Sequence, residues 1–202
     1  NKISQYHQAV ANGLWSQSKH FCLLDYPVTE LAGKNFVVIG YGALGQASAQ
    51  LAKAFGMQII VAEQPDATSC RSGRVSFLTA LAQADVISLH CPLNAQTEKL
   101  FNQQVFAAIK PGALLINTAR GGLIDEAALL QALRLGQLGG AALDVLSQEP
   151  PPADHLLLRS DLPNLIVTPH MAWASAEARQ RMVVQLKQNI EAFISGKELN
   201  RV

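Results

Sequence analysis

The sequence predicts an α/β fold in which helices cover both faces of a doubly wound parallel sheet. Two observations carry this prediction. Short apolar runs rich in β-branched residues alternate with helix-like segments along most of the chain, as expected for strand–helix–strand units joined by right-handed crossovers. A glycine-rich turn follows the first run, and an acidic residue, Glu63, follows the second. Together these features are typical of a dinucleotide-binding domain.

The first strand and its turn occupy residues 35–45. The apolar run NFVVI leads directly into GYGALG, which extends from Gly40 to Gly45. In such a turn Gly40 permits a sharp change of direction, Gly42 lets the backbone approach a pyrophosphate, and Gly45 lets the helix pack closely on the strand. The free N–H groups at the start of the helix favour an anion. The turn therefore predicts a Rossmann-type pyrophosphate site.

The helix and the second strand complete this unit. Leu44, Leu51 and Phe55 recur at helical spacing, and Gly56 stands where a helix ends in the left-handed conformation. The strand over residues 57–62 then ends on Glu63. A carboxylate there can accept hydrogen bonds from both ribose hydroxyls of an adenosine, and it repels a 2′-phosphate. If Glu63 instead points away and Arg71 or Arg74 binds the 2′-phosphate, NADPH would bind as tightly as NADH or more tightly.

The remaining elements continue the alternation. Helices are predicted over residues 78–83, 97–109, 125–136 and 176–195, and strands over residues 74–77, 85–91, 113–117, 140–145 and 165–168. We divide the chain into a hinge and lead-in over residues 1–24, a nucleotide-binding domain over residues 25–175, and a C-terminal helix over residues 176–202. Because the chain begins with Asn1, we expect it to lie within a longer protein.

Composition limits the possible partners. The formal net charge is +1 and no basic cluster occurs, so neither nucleic acid nor a membrane surface is expected as a partner. Charged residues make up 15% of the chain, against roughly 25% in typical domains, which suggests a surface that is partly covered at a subunit or domain interface. Cys22, Cys70 and Cys91 are widely spaced; they predict neither a disulfide framework nor a metal site and favour the cytoplasm.

Three residues in loops at the predicted carboxyl edge suggest hydride-transfer chemistry. Arg120, Glu149 and His170 each follow a different predicted strand, and ligands bind at that edge of parallel sheets. Reduction of a 2-oxo acid requires a proton donor for the carbonyl oxygen, which histidine can supply with a carboxylate to orient it. Arginine can bind a substrate carboxylate through two hydrogen bonds.

Five segments resemble the ordered motifs of the NAD-dependent D-2-hydroxyacid dehydrogenases, and within that family HMAW at residues 170–173 and FCLLDY at residues 21–26 look most like the glycerate dehydrogenase branch. The five segments are GYGALG at residues 40–45, LHCPL at residues 89–93, INTARGGLIDE at residues 116–126, DVLSQEP at residues 144–150 and TPH at residues 168–170. The resemblance implies that Arg120 binds the substrate carboxylate, Glu149 pairs with the histidine, and His170 is the acid and base.

The resemblance also implies NAD as the cofactor and a set of contacts to it. The expected cofactor-binding residues are Gly40, Gly42, Ala43, Leu44, Gly45, Glu63, Cys91, Pro92, Thr97, Thr118, Ala119, Arg120, Asp144 and His170. Family members carry a substrate domain that is largely absent from this chain, so we expect the chain to bind NAD but to turn over a 2-hydroxy or 2-oxo acid poorly. Family members dimerise through this domain, so the resemblance also implies a homodimer, with which the low charge content agrees. An alternative is a non-catalytic NADH sensor that resembles the family's corepressors.

Several individual residues leave two interpretations open. His90 suggests a structural residue or a wall of the cofactor site, and Asp144 suggests either a cofactor contact or a structural role. Trp173 either borders the substrate pocket or packs under the last helix. Two glycines directly after Arg120 suggest a close approach to ligand. Cys91 has no base or metal partner in the sequence pattern, so we expect an inert thiol.

Overall fold

Six parallel strands form a single sheet in the order β2-β1-β3-β4-β5-β6. The structure is a computed structural model that describes residues 2–200. The strands are β1 (Asn35–Ile39), β2 (Gln58–Val61), β3 (Val86–Leu89), β4 (Ala113–Asn117), β5 (Leu138–Leu143) and β6 (Leu165–Val167). The chain proceeds from β1 to β2 on one side and then crosses to β3 on the other. This reversal leaves a crevice at the carboxyl ends of β1 and β3.

Helices cover both faces of the sheet, which confirms the predicted doubly wound architecture. They are α1 (Ile3–Ala11), α2 (Ala43–Ala54), α3 (Phe77–Gln83), α4 (Gln103–Ala108), α5 (Glu126–Arg134) and α6 (Ala176–Ile194). Alternate residues of β1 enter different cores: Val37 belongs to the larger cluster, with Phe77 and Leu129, whereas Val38 belongs to the smaller one, with Ala49. Strand β1 is therefore buried on both faces, as strands of parallel sheets usually are.

Helix α2 lies on the sheet through small residues. Gly45, Ala49 and Ala52 are buried, whereas Leu51 and Phe55 are 66% and 65% exposed. The predicted stripe of large residues exists, but it does not face the sheet, because the close approach of α2 leaves room only for glycine and alanine. Large apolar side chains therefore project outward from α2.

Several predicted boundaries differ from the structure. The predicted strand over residues 74–77 is wrong: only Val75 bridges Ala62, and Phe77 already begins α3. Helix α4 begins at Gln103, not near residue 97, because the Asn102 side chain accepts the N–H of Val105 and caps the helix there. Strand β5 lies two residues earlier than predicted.

The last helix, α6, is largely exposed. Helix α6 carries one stripe of large apolar residues, all at least half exposed: Met182, Leu186, Ile190 and Phe193. Asn1, Arg201 and Val202, which terminate the predicted hinge and C-terminal segments, lie outside the described residues. Within residues 2–200, no helix has the length and apolar character needed to cross a membrane. The three segment boundaries stay predictions.

Candidate functional site

A cleft of about 600 Å³ opens at the carboxyl edge of β1 and β3. Its lining combines the glycine-rich turn with the loops after β2 and β3. Among the predicted cofactor-binding residues, Gly40, Gly42, Glu63, Cys91, Pro92 and Thr97 line it, together with His90. The cleft therefore brings together residues that the sequence separates by more than fifty positions.

The three motif glycines have separate roles. Gly40 has a φ of +94°, and a Cβ there would lie 2.6 Å from the backbone nitrogen of Cys91. A Cβ on Gly45 would lie 2.1 Å from the carbonyl oxygen of Gly40. Both positions therefore require glycine for the protein's own packing. A Cβ on Gly42, by contrast, would have no protein atom within 4 Å.

The space beside Gly42 fits a dinucleotide. Gly42 precedes the first residue of α2 and is exposed, as are Ala43 and Leu44. The first N–H groups of a helix have no intrahelical acceptor and attract anions. The protein's own packing does not require a glycine at position 42. A pyrophosphate that approaches the backbone closely does require one, because a Cβ would occupy its space.

Glu63 is buried at the far end of this cleft, with 3% of its surface exposed. Its carboxylate accepts hydrogen bonds from the backbone N–H groups of Gln64 at 2.8 Å and Arg71 at 3.0 Å. The Arg71 guanidinium pairs with both carboxylate oxygens. Hydrogen bonds from Arg71 hold the pKa of Glu63 well below its usual range, and those from the Arg71 side chain have the largest effect. The carboxylate is thus not open to two ribose hydroxyls as expected, because the loop after β2 folds back over it.

Hydrogen bonds among its own residues stabilise the loop after β3. The Thr97 hydroxyl donates to the carbonyl oxygen of Pro92 at 2.7 Å. The ring of His90 lies 2.9 Å from the hydroxyl of Ser88, and burial lowers its pKa. Burial also raises the pKa of the Cys91 thiol, so this cysteine is protonated at neutral pH. These contacts agree with His90 as a wall of the cleft and with an inert Cys91.

Glu149 and His170 meet in the loops that follow β5 and β6. Glu149 Oε2 lies 2.6 Å from Nδ1 of His170, and Oε1 accepts the N–H of Leu146 at 2.8 Å. Burial would raise the pKa of Glu149, but the hydrogen bonds from His170 and Leu146 outweigh it and the pKa is lowered. Because an ionised carboxylate only accepts hydrogen bonds, the His170 Nδ1 carries a proton.

Asp144 stabilises the loop that carries His170 through hydrogen bonds. Its buried carboxylate accepts hydrogen bonds from the Thr168 hydroxyl at 2.6 Å and from the backbone N–H groups of Met171 and Ala172 at 2.9 and 2.8 Å. Burial raises the pKa of Asp144, but these hydrogen bonds outweigh that effect and lower it. Of the two interpretations of Asp144, the structure shows the structural one; a cofactor contact stays a prediction.

Arg120 lies on a loop that a buried asparagine shapes. The Asn117 amide donates to the Arg120 carbonyl oxygen at 2.9 Å, and its oxygen accepts the N–H of Ala119 at 3.0 Å. Thr118 and Arg120 are exposed, and the Arg120 guanidinium donates to the carbonyl oxygen of Ala119 at 2.6 Å. Asn117 was not among the predicted site residues, although its polar side chain at the end of an apolar strand was a usable signal.

The glycines after Arg120 serve packing between loops. A Cβ on Gly121 would lie 1.9 Å from the carbonyl carbon of Leu146, and one on Gly122 would lie 2.8 Å from the Leu93 side chain. The expectation that they allow close approach of a ligand is wrong, because protein atoms already occupy the space beside them.

A second buried pair, which the sequence analysis also missed, anchors the Glu149 loop. Glu126 Oε2 lies 3.1 Å from Nε2 of His155, and the two side chains are only 10% and 7% exposed. Glu126 also accepts the Ser147 N–H and hydroxyl, both at 2.8 Å. His155 Nδ1 accepts the N–H of Leu157, so Nε2 is the donor to Glu126. This network connects the start of α5 to residues on both sides of Glu149 in that loop.

Trp173 stands beside His170. Its indole N–H donates to the His170 carbonyl oxygen at 2.9 Å, and the residue is 53% exposed. This exposure is inconsistent with a side chain packed under the last helix, and a role at the edge of a substrate pocket stays a prediction.

Several known proteins are similar to this chain over nearly its whole length. The family model described as "D-isomer specific 2-hydroxyacid dehydrogenase, NAD binding domain" matches residues 1–172. A glycerate dehydrogenase of Methylorubrum extorquens is 48% identical over 99% of this chain and 62% of its own length. A hydroxypyruvate reductase of Blautia hydrogenotrophica is 38% identical over 99% of this chain and 62% of its own length.

A solved structure extends the comparison to the fold. D-lactate dehydrogenase with NAD⁺ from Lactobacillus jensenii is 30% identical, with a TM-score of 0.80 over 100% of this chain and 63% of that chain. The chain thus spans about three fifths of the length of the relatives that it matches. The family resemblance drawn from five motifs and the NAD cofactor are confirmed. The chain belongs to the D-isomer specific 2-hydroxyacid dehydrogenases, and what it contains is their NAD-binding domain.

Proposed function

We propose that the chain is the cofactor-binding and proton-transferring part of a dehydrogenase that interconverts a small 2-oxo acid and its (R)-2-hydroxy acid. The substrate pair that we favour is hydroxypyruvate and D-glycerate. The Methylorubrum relative is named a glycerate dehydrogenase and the Blautia relative a hydroxypyruvate reductase. The observation that carries the proposal is the 2.6 Å contact between Glu149 and His170.

This contact prepares His170 for proton transfer. Because Nδ1 donates to the ionised Glu149, Nε2 is the ring atom left to donate a proton to a substrate carbonyl oxygen. In the reverse reaction, Nε2 accepts the hydroxyl proton. The carboxylate of Glu149 fixes the ring orientation and stabilises the imidazolium that forms. When bound, NADH supplies the hydride for the carbonyl carbon.

Arg120 would hold the substrate. It follows β4, whereas Glu149 and His170 follow β5 and β6, and these three strands are adjacent in the sheet. One guanidinium nitrogen donates to the Ala119 carbonyl oxygen, which leaves further donors for a substrate carboxylate. Binding of that carboxylate would select 2-oxo acids over simple ketones.

We also propose that two copies associate through this domain. Leu44, Leu51 and Phe55 form an apolar stripe on α2 that is at least 65% exposed in every member. Burial of such a stripe against a second copy removes apolar surface from water. A cytoplasmic location stays a prediction; the three cysteines of the described residues are free thiols, which a reducing compartment would maintain.

The reaction is tested with the full-length gene product. Initial rates are measured with NADH and a panel of hydroxypyruvate, glyoxylate and pyruvate, with acetone as a ketone that lacks a carboxylate. The proposal predicts the highest kcat/KM with hydroxypyruvate and no turnover of acetone. Arg120→Gln should raise the KM for hydroxypyruvate about tenfold to hundredfold, since a charged hydrogen bond is lost, whereas the exposed Arg134→Gln should not. Equal KM values in both variants would contradict the role of Arg120.

The alternative of a non-catalytic NADH sensor has no supporting contact within residues 2–200. A sensor does not need a carboxylate and a histidine 2.6 Å apart. Tight NADH binding without turnover of any 2-oxo acid by the full-length gene product would favour the sensor.

A further inference from the structure

The adenosine end of the cleft contains a carboxylate that the protein itself has saturated. A carboxylate offers about four lone-pair sites. In Glu63 they accept the backbone N–H groups of Gln64 and Arg71 and the Nε–H and Nη2–H groups of Arg71. With 3% of Glu63 exposed, a ribose hydroxyl could reach it only by displacing Arg71.

The negative charge of Glu63 is compensated as well. Arg71 forms its ion pair with Glu63 from the solvent side, and its own side chain is 57% exposed. The usual reason why an acid at this position excludes NADP is repulsion between its carboxylate and the 2′-phosphate. A carboxylate buried behind a guanidinium exerts little of that repulsion.

Arg71 and Arg74 both line the cleft with donors to spare. Arg71 Nη1 has no hydrogen bond among the described residues. The Arg74 guanidinium makes one contact there, an ion pair of 3.7 Å with Glu63, and its side chain is 21% exposed. Asp66 is the one other acid among the cleft-lining residues, and it is exposed to solvent, which screens its charge.

We propose that Arg71 and Arg74 form a subsite for the 2′-phosphate of NADP(H), so that the chain binds NADPH at least as tightly as NADH. In this arrangement Glu63 is a positioning residue that holds the Arg71 guanidinium, and it is not the ribose acceptor. Arginine suits this role because its planar fork donates two hydrogen bonds to a phosphate. The inference rests on the proposed function, since it needs the cleft to hold a nicotinamide dinucleotide.

Binding measurements test the subsite without any catalytic readout. The chain is titrated by calorimetry with NADH and NADPH at the same salt concentration. Two fragments, 5′-AMP and adenosine 2′,5′-bisphosphate, test the adenosine end alone. We expect NADPH to bind with a Kd equal to or below that of NADH, and the bisphosphate to bind more tightly than 5′-AMP. A preference for NADH of tenfold or more would overturn the subsite while leaving NAD binding intact.

Substitutions assign the effect to residues. Arg71→Ala should weaken NADPH about tenfold to hundredfold, because a charged hydrogen bond is lost, and should leave NADH within threefold. Arg74→Lys and Arg74→Ala are compared because Arg74 is largely buried; both should weaken NADPH selectively, with the lysine variant nearer to wild type. Arg134→Ala, on the exposed end of α5, is the matched control. Equal losses for NADH and NADPH in the Arg71 and Arg74 variants would overturn the subsite.

Glu63→Gln separates the two roles of the acid. If Glu63 is a positioning residue, this variant should keep NADH affinity within threefold. If it accepts the ribose hydroxyls, NADH affinity should fall selectively, which would overturn the proposal. Failure of the folded chain to bind either dinucleotide would overturn both this inference and the proposed function.

Discussion

Asp144 holds His170 in a left-handed backbone conformation. His170 has a φ of +51°, a region that residues other than glycine rarely adopt. Its N–H donates to the Asp144 carbonyl oxygen at 2.8 Å, while the Asp144 carboxylate accepts the N–H groups of the next two residues. Four hydrogen bonds from this loop therefore converge on Asp144, counting that of Thr168. They offset the cost of the strained backbone, of order 1 kcal/mol or more.

Asp144→Asn should destabilise the protein and disorder this loop. An asparagine has one acceptor oxygen where three donors converge, and its NH₂ group would face an N–H. We expect a loss of about 2 kcal/mol in the free energy of unfolding at pH 7, measured by urea denaturation. Asp154→Asn, on the exposed part of the loop after β5, is the control and should change stability by less than about 0.5 kcal/mol.

The pH dependence of stability should change in the same variant. The pKa of Asp144 is lower in the folded state than its ordinary value of 3.8, so the unfolded state binds more protons between the two values. Its stabilisation is fully present above the ordinary value and is lost as the pH falls through the lowered one. We therefore expect the stability of Asp144→Asn to fall less steeply than that of wild type below about pH 4. Parallel curves would contradict the lowered pKa.

The glycine motif yields a paired prediction. Gly45→Ala should lower the free energy of unfolding by about 3 kcal/mol, because its Cβ would clash with the Gly40 carbonyl oxygen. Gly42→Ala has room for its Cβ and an ordinary φ of −81°, so its melting temperature should equal that of wild type. Its NADH affinity should nevertheless fall about tenfold or more, since the methyl group meets the pyrophosphate. Unchanged NADH binding by Gly42→Ala would place the pyrophosphate elsewhere.

The sheet and the site residues were predictable because they depend on local patterns. The strand ending at Ile39, the glycines after it, and the placement of Glu149 and His170 at one edge all follow from strand polarity and turn chemistry. The contacts of Glu63 were not predictable in this way. They depend on the path of the loop after β2, which brings Arg71 back to the strand end by backbone hydrogen bonds that no residue spacing specifies.

Glu126 should be needed for the loop that carries Glu149. Glu126→Ala leaves the buried His155 and the exposed Ser147 without their acceptor, and we expect a loss of about 2–3 kcal/mol in the free energy of unfolding, chiefly from His155. The measurement is urea denaturation at pH 7. Glu98 is an exposed acid, so Glu98→Ala should leave the free energy of unfolding nearly unchanged. A similar loss in both variants would show that the Glu126 network does not stabilise the loop.

The stripe on α2 predicts the oligomeric state. Leu51→Glu combined with Phe55→Glu should convert a dimer into a folded monomer, because both side chains are exposed in the single chain and carry none of its core. Light scattering after size exclusion gives the mass, and circular dichroism verifies the fold. A wild-type monomer, or a double variant that remains dimeric, would contradict association through α2.

The α2 stripe also shows why sequence periodicity can mislead. Leu44, Leu51 and Phe55 have the spacing of a buried face, yet Gly45, Ala49 and Ala52 pack on the sheet. Helices that lie close to a sheet require small residues at the contact, so hydrophobicity alone selects the wrong face. The Glu126–His155 pair escaped detection for a related reason: its members are 29 positions apart and meet only when the loop after β5 folds back on α5.

The proposed function depends on proton transfer by His170 as a hydride reaches a 2-oxo acid. The most direct test is the steady-state rate of hydroxypyruvate-dependent NADH oxidation by the full-length gene product, compared between wild type, His170→Asn and the exposed control His20→Asn. If His170 has this role, kcat of His170→Asn should fall by about 10²–10⁴-fold, its Kd for NADH should stay within threefold, and His20→Asn should match wild type. A kcat of His170→Asn equal to that of wild type would show that His170 does not transfer the proton.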